Sequence, residues 1–114
     1  MTQINTIDNV EVRKEYYESG ALLWEIPYKN GKEHGMAKVY YESGALRYET
    51  PRVNGEKHGI AKHYYESGAL SLEVPYVNGV MHGIAKSYGK DNINIDCVTL
   101  YNKDQEVTTV KSII

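Results

Sequence analysis

The sequence has no phenylalanine, a single tryptophan, a single cysteine and three prolines in 114 residues. Without phenylalanine, ring packing falls to eleven tyrosines. Their hydroxyls seek water or a partner, which suits a half-exposed sheet better than a deep core. Cys97 has no second cysteine to pair with, which points to a reducing compartment and so to the cytoplasm. It sits in Ile-Asp-Cys-Val, a strand-like stretch, and reads as a small packed side chain. A net charge of −2 gives no uniform field that would favour nucleic acid or an anionic membrane. No run approaches the roughly 20 apolar residues that span a bilayer. Met1 to Val12 is polar and shows no basic region followed by an apolar stretch, so no secretory signal is read there.

What the sequence does have is a repeat. Tyr-Tyr-Glu-Ser-Gly-Ala-Leu begins at Tyr16, Tyr40 and Tyr64, and the segments 16–39, 40–63 and 64–87 align without gaps. Fifteen of the 24 columns are identical in all three copies. Beyond the opening seven they are a Glu, a Pro, an Asn-Gly pair, a His-Gly pair and an Ala-Lys pair. Each Asn-Gly pair (Asn30-Gly31, Asn54-Gly55, Asn78-Gly79) lies between apolar-rich segments, and both residues tolerate positive φ, the strongest short signal of a hairpin. The Glu-Ser-Gly stretches read as three-residue turns with glycine in the left-handed position. Two turns per 24 residues leave strands of roughly eight residues.

The strand after each Glu-Ser-Gly turn alternates with period two. Leu22, Trp24, Ile26 and Tyr28 fall on one face, and Ala21, Leu23 and Glu25 on the other. Later copies place Leu46, Tyr48, Thr50 and Arg52, then Leu70, Leu72, Val74 and Tyr76, on the same face. This is an antiparallel sheet with one wetter side. A three-residue turn at 42–44 pairs Tyr40 with Leu46 and Lys38 with Tyr48. A strict two-residue turn at Asn30-Gly31 would pair Met36 with Glu25 and exchange the faces. One extra residue must therefore be absorbed, and His34-Gly35 opposite Pro27 is the natural bulge, repeated in each copy. On this register Tyr16, Tyr40, Tyr64 and Tyr88 share the Trp24 face, and Tyr17, Tyr41 and Tyr65 lie opposite.

The expected fold is all-β: an elongated, twisted, single-layer antiparallel meander of 24-residue β-hairpin repeats with about eight strands. Residues 1–114 form a single repeat domain, with an N-terminal partial unit at 1–15 and the three repeats between. Residues 88–114 close it as a degenerate capping hairpin, from Ile93–Tyr101 and Glu106–Ile113 around a turn near Asn102-Lys103-Asp104.

These residues resemble MORN-type repeats in their bacterial variant, with Tyr-Tyr-x-x-Gly-x-Leu followed by Asn-Gly and His-Gly. The resemblance covers Tyr16 to Tyr88 and, more weakly, the rest. It implies an extended meander of hairpins. Bacterial chains of this kind are grouped with the YwqK-like antitoxins of toxin–antitoxin systems, which implies a partner protein held and neutralised by direct binding. MORN-type arrays more widely imply scaffold or lipid-surface roles. The resemblance supplies no catalytic residue.

The columns that could carry chemistry do not. Residues two strands apart in one column are roughly 9.6 Å apart, while zinc needs each nitrogen at about 2.0–2.1 Å. His34, His58 and His82 therefore cannot share an ion, and no metal or cofactor is expected. The Glu25/49/73 and Lys38/62/86 columns read as solvated sheet-face residues. Ser19, Ser43 and Ser67 lack the strand–turn–helix setting of a nucleophile elbow, and no glycine run has phosphate-loop spacing. No catalytic site is expected. The function read from the sequence is a non-catalytic protein-binding module, antitoxin-like, acting on an unidentified partner by occlusion; the alternative is a scaffold or lipid-surface protein. Trp24, Tyr28, Arg47, Tyr48, Arg52 and Tyr76 are the expected partner-binding residues, because Trp, Tyr and Arg are enriched at binding hot spots. Self-association through the terminal strands, including Val110 to Ile114, is a third reading.

Overall fold

The local turn signals are honoured throughout. In a computed structural model describing residues 2–5, 9–90 and 95–111, Asn30, Asn54 and Asn78 have φ of 52°, 50° and 49°, and the glycine after each is also positive. These turns join β3 (Leu22–Lys29) to the two-residue β4 (Lys32–Glu33), β6 (Leu46–Val53) to β7 (Glu56–Lys57), and β9 (Leu70–Val77) to β10 (Val80–Met81). The Glu-Ser-Gly turns are equally regular: Gly20, Gly44 and Gly68 donate to the carbonyls of Tyr17, Tyr41 and Tyr65 at 2.9 Å. They join β2 (Val10–Tyr16) to β3, β5 (Gly35–Tyr40) to β6, and β8 (Gly59–Tyr64) to β9.

With β1 (Thr2–Asn5), β11 (Gly83–Tyr88), β12 (Ile95–Asn102) and β13 (Gln105–Lys111), the thirteen described strands form one antiparallel, unclosed sheet. Its path is β1-β2-β3-β5-β6-β8-β9-β11-β12-β13, with β4, β7 and β10 as short tips on β3, β6 and β9. That is ten strands in the path and not about eight: six in the three repeats and a pair at each end. The molecule is a slab of 50 × 32 × 20 Å. Ile93 and residues 112–114, assigned to the terminal hairpin and edge, lie outside the described residues.

The expected irregularity at His-Gly is present in every repeat, but it is larger than one residue. Tyr28 opposes Glu33, whereas Glu25 opposes Lys38. Ile26 and Pro27 on one side therefore face His34, Gly35, Met36 and Ala37 on the other, and two extra residues are absorbed. The His34 N–H donates to the Pro27 carbonyl at 2.9 Å. Gly35 follows at φ +114°, where a Cβ would lie 2.9 Å from Pro27 Cγ. A second bulge follows each Glu-Ser-Gly turn: Tyr40 opposes Leu46 as expected, but Val39 opposes Tyr48 and Lys38 opposes Glu49, leaving Arg47 over.

Together the bulges correct the assignment of faces. Met36 does share the face of Glu25, and Tyr40, Tyr64 and Tyr88 leave the Trp24 face. Their hydroxyls donate to Glu25, Glu49 and Glu73 on the other side of the sheet. Tyr17, Tyr41 and Tyr65 clasp the following repeat instead, donating to the carbonyls of Tyr40, Tyr64 and Tyr88 at 2.7, 2.6 and 2.7 Å. At the opposite margin the tips are joined by Gly55 N–H to Glu33 C=O and Gly79 N–H to Lys57 C=O. His58 and His82 Nδ1 accept from the backbone N–H of Asn78 and Lys103 at the next turn. Asp104 N–H donates to the Met81 carbonyl, so the capping hairpin is tied in the same way.

The small core lies on the Trp24 face. Ala37, Thr50, Ala61, Val74 and Ala85 have exposures of 7, 0, 1, 8 and 6% and occupy one row across the strands. In a single layer only neighbours on the same face can cover them, so the larger side chains of the adjacent rows close over this row of small ones.

The Tyr–Glu bonds make stability sensitive to alkali. Burial first, then the Glu25 and Glu49 carboxylates, push Tyr40 and Tyr64 up to about 12, while a tyrosine in the unfolded chain titrates near 10. Between those values the folded chain holds more protons, so its stability falls as pH rises through that window and is fully present below it. Urea midpoints measured at pH 9, 10 and 11 are expected to drop progressively. Tyr40→Phe/Tyr64→Phe should flatten that decline; an equally steep decline in the variant would remove these two groups as its cause.

Candidate binding surface

Alternation and register place five of the six residues singled out from the sequence on one face. Trp24 and Tyr48 lie in one cross-strand row, reached through Val39 and continued by His63 and Leu72. Tyr28, Arg52 and Tyr76 lie in another, on β3, β6 and β9, with the row of small residues between the two. All five are half-buried. Arg47 is exposed in the bulge at the margin, its guanidinium 5.5 Å from the Tyr41 ring centroid.

These side chains are held by one another. The Tyr48 and His63 rings lie 4.3 Å apart at 50°. Burial, with the charges of Lys57 and Arg47, lowers His63 below its ordinary pKa and favours the neutral ring. The Arg13 guanidinium covers Tyr28 at 3.9 Å and the Lys57 ammonium covers Tyr76 at 4.8 Å. Arg52 lies 3.4 Å from the Glu33 carboxylate and donates to the Gly55 carbonyl. Each of these side chains is therefore braced by a neighbour.

The opposite face is built differently. Lys14, Glu25, Lys38, Glu49, Lys62, Glu73 and Lys86 are consecutive cross-strand neighbours, so the charge alternates along the whole row. One step along each strand lies an apolar row: Val12, Pro27, Met36, Pro51, Ile60, Pro75, Ile84 and Leu100. Met36, Ile60 and Ile84 are 41, 50 and 54% exposed. A shallow depression lined by Val12, Lys14, Glu25, Pro27, Met36 and Lys38 marks one end.

Among the described residues no three His, Cys, Asp or Glu side chains converge to hold a metal ion. No helix among the described residues is long and apolar enough to cross a membrane. Compared with known families, the chain matches the MORN repeat variant at residues 12–30, 33–54 and 57–78, together more than half of its length. The chain belongs to the MORN repeat variant family. No curated protein and no solved structure matches it.

The matched MORN segments coincide with β2–β3, β5–β6 and β8–β9, each a hairpin closed by a Glu-Ser-Gly turn and ending at an Asn-Gly turn. β11 and β12 continue the same pairing beyond the matched segments. A MORN array of this form is compatible with a non-catalytic repeat module. The exposed Met36/Ile60/Ile84 row was missed in the sequence, because its parity relative to Glu25 depends on how many residues the His34-Gly35 bulge holds. The available signal was charge: setting Glu25 against Lys38 joins opposite charges across the strands, and that register is the observed one.

Proposed function

We propose that this MORN array is a protein-binding module of the antitoxin-like kind, which lays its Trp24 face over a partner protein and occludes the site beneath. The observation that carries this is the division of the repeat between the two faces. Positions on the Lys–Glu face are nearly invariant from copy to copy: Glu25/49/73, Pro27/51/75 and Lys38/62/86, with Met36/Ile60/Ile84 beside them. On the other face the buried Ala37/61/85 are invariant, but Trp24/Tyr48/Leu72, Ile26/Thr50/Val74 and Val39/His63/Ser87 differ in every copy and Tyr28/Arg52/Tyr76 in one. A surface that differs at each step offers a partner one binding register, whereas a uniform one offers several equivalent registers. Trp24, Tyr28, Tyr48, Arg52 and Tyr76, with Arg47 at the margin, supply the residue types that dominate hot spots, and the bracing of Tyr28, Tyr48, Arg52 and Tyr76 lowers the entropy lost on binding.

The test is purification of the tagged chain from its native host beside two variants. A single stoichiometric partner should accompany the wild type and Ile60→Asp. It should be lost from Trp24→Ala/Tyr48→Ala, since two hot-spot truncations of about 2 kcal/mol each weaken binding several hundredfold. Retention of the partner by the folded double variant, with thermal melting as the check on folding, would refute the reading.

A further inference from the structure

The Lys–Glu face has a property that follows from strand order alone. Its strands are of two kinds. β2, β5, β8 and β11 each carry a lysine and an aliphatic residue (Lys14 with Val12, Lys38 with Met36, Lys62 with Ile60, Lys86 with Ile84). β3, β6 and β9 each carry a glutamate and a proline (Glu25 with Pro27, Glu49 with Pro51, Glu73 with Pro75). A surface that alternates in this way is complementary to itself when displaced by one strand. We infer that this face is where two copies of the chain pair, face to face, about a two-fold axis running parallel to the strands between β6 and β8.

Rotation about such an axis keeps each row opposite itself and reverses the order of the strands. The ten-strand path has five strands on either side of the gap between β6 and β8, so an axis there overlaps the two sheets along their full length. β6 then lies on the partner's β8, β5 on its β9 and β3 on its β11. Glu49 meets the partner's Lys62, Lys38 meets the partner's Glu73, and Glu25 meets the partner's Lys86. The same operation sets Ile60 against the partner's Pro51, Met36 against the partner's Pro75 and Ile84 against the partner's Pro27, so protruding side chains rest on flat rings. An axis through a strand would instead set glutamate on glutamate. Every axis between two neighbouring strands matches the charges, and of these the one between β6 and β8 also overlaps the sheets fully; its symmetry is that of the commonest homodimers.

The side chains are free to serve it. Lys38, Lys62 and Lys86 make no ion pair within 4 Å among the described residues, although each stands beside glutamate across the strands. Glu25, Glu49 and Glu73 each accept a tyrosine hydroxyl at Oε1, which engages one carboxylate oxygen and leaves the carboxylate its charge for a lysine. Sheets packed face to face lie about 10 Å apart, a distance that Lys and Glu side chains bridge. The eight strands from β2 to β12 at about 4.8 Å, by the three side-chain rows about 7 Å apart that a six-residue strand puts on one face, give a strip on the order of 800 Å², the area per partner in a standard interface. The pairing leaves both Trp24 faces outward.

Sedimentation equilibrium tests this over a concentration series. The expected mass is twice that of the 13.0 kDa chain. Ile60→Asp, at a half-exposed position, should weaken dimerisation at least about tenfold with little change in melting temperature. Lys62→Glu, which sets a carboxylate against the partner's Glu49 at the axis, should do the same. The exchange Glu49→Lys/Lys62→Glu should recover affinity to within about threefold of wild type, since the opposite charges face again with the ends swapped. A single-chain mass at every concentration would overturn the proposal and leave the face for a different occupant. A dimer that both single variants leave intact would place the contact elsewhere, and failure of the exchange to restore pairing would remove the one-strand stagger on which the inference stands.

Discussion

Gly59→Ala is expected to lower stability by about 3 kcal/mol, a large part of what a domain of this size possesses. Gly59 opens β8 at φ +119°, and a Cβ there would lie 2.8 Å from Cγ of Pro51. Two costs add. An alanine at positive φ is strained by roughly 1–2 kcal/mol. The clash is with a ring whose own φ is locked and whose strand is paired on both sides. Gly44→Ala provides the reference: φ is +98°, but nothing lies within 4 Å of the added methyl. Strain alone should then cost about 1–2 kcal/mol. Urea unfolding of the two variants separates the effects, and equal losses would show that Pro51 yields at no cost.

Thr50→Val is expected to stabilise the protein by about 1–2 kcal/mol, raising the melting temperature by roughly 3–8 °C. Thr50 is fully buried, and its hydroxyl has no hydrogen-bond partner among the described residues. The equivalent positions in the neighbouring repeats are Ile26 and Val74, so the site already suits an aliphatic side chain of this shape. Valine keeps the branched volume and removes a polar group that has lost its water without gaining a bond. A thermal melt decides it; a lower melting temperature would mean that the hydroxyl is bonded in solution.

The two positions mark where sequence reasoning succeeds and where it stops. Turn chemistry is local: positive φ at Asn30 or Gly44 is favoured by the residue itself, so the hairpins, their spacing and the meander could be read directly. Which face a side chain occupies is not local, because it depends on counting residues through every bulge between one strand and the next. Arg47 is one uncounted residue and the His34-Gly35 bulge holds one more than expected. Those two changes move Met36 and Tyr40 to the Glu25 side while leaving Trp24, Tyr28, Tyr48, Arg52 and Tyr76 together. The five stayed together because they lie on β3, β6 and β9 at positions related by the same 24-residue step, and any register error displaces all of them alike. The pairing Glu25–Lys38 depends on how many residues the His34-Gly35 bulge absorbs, and only cross-strand charge could have fixed it in advance.

The clasps at the two margins of the sheet govern how the molecule would answer force. Its strands run across the long axis, so tension applied at the chain ends loads one strand after another and never all at once. Each repeat peeled away gives up two strands, one Tyr17-type hydroxyl bond and one Gly55-type amide bond. A released 24-residue unit pays out roughly 80 Å of chain in exchange for the about 9.6 Å that its two strands occupied. Such a body lengthens under load in even increments, as a spooled tether does.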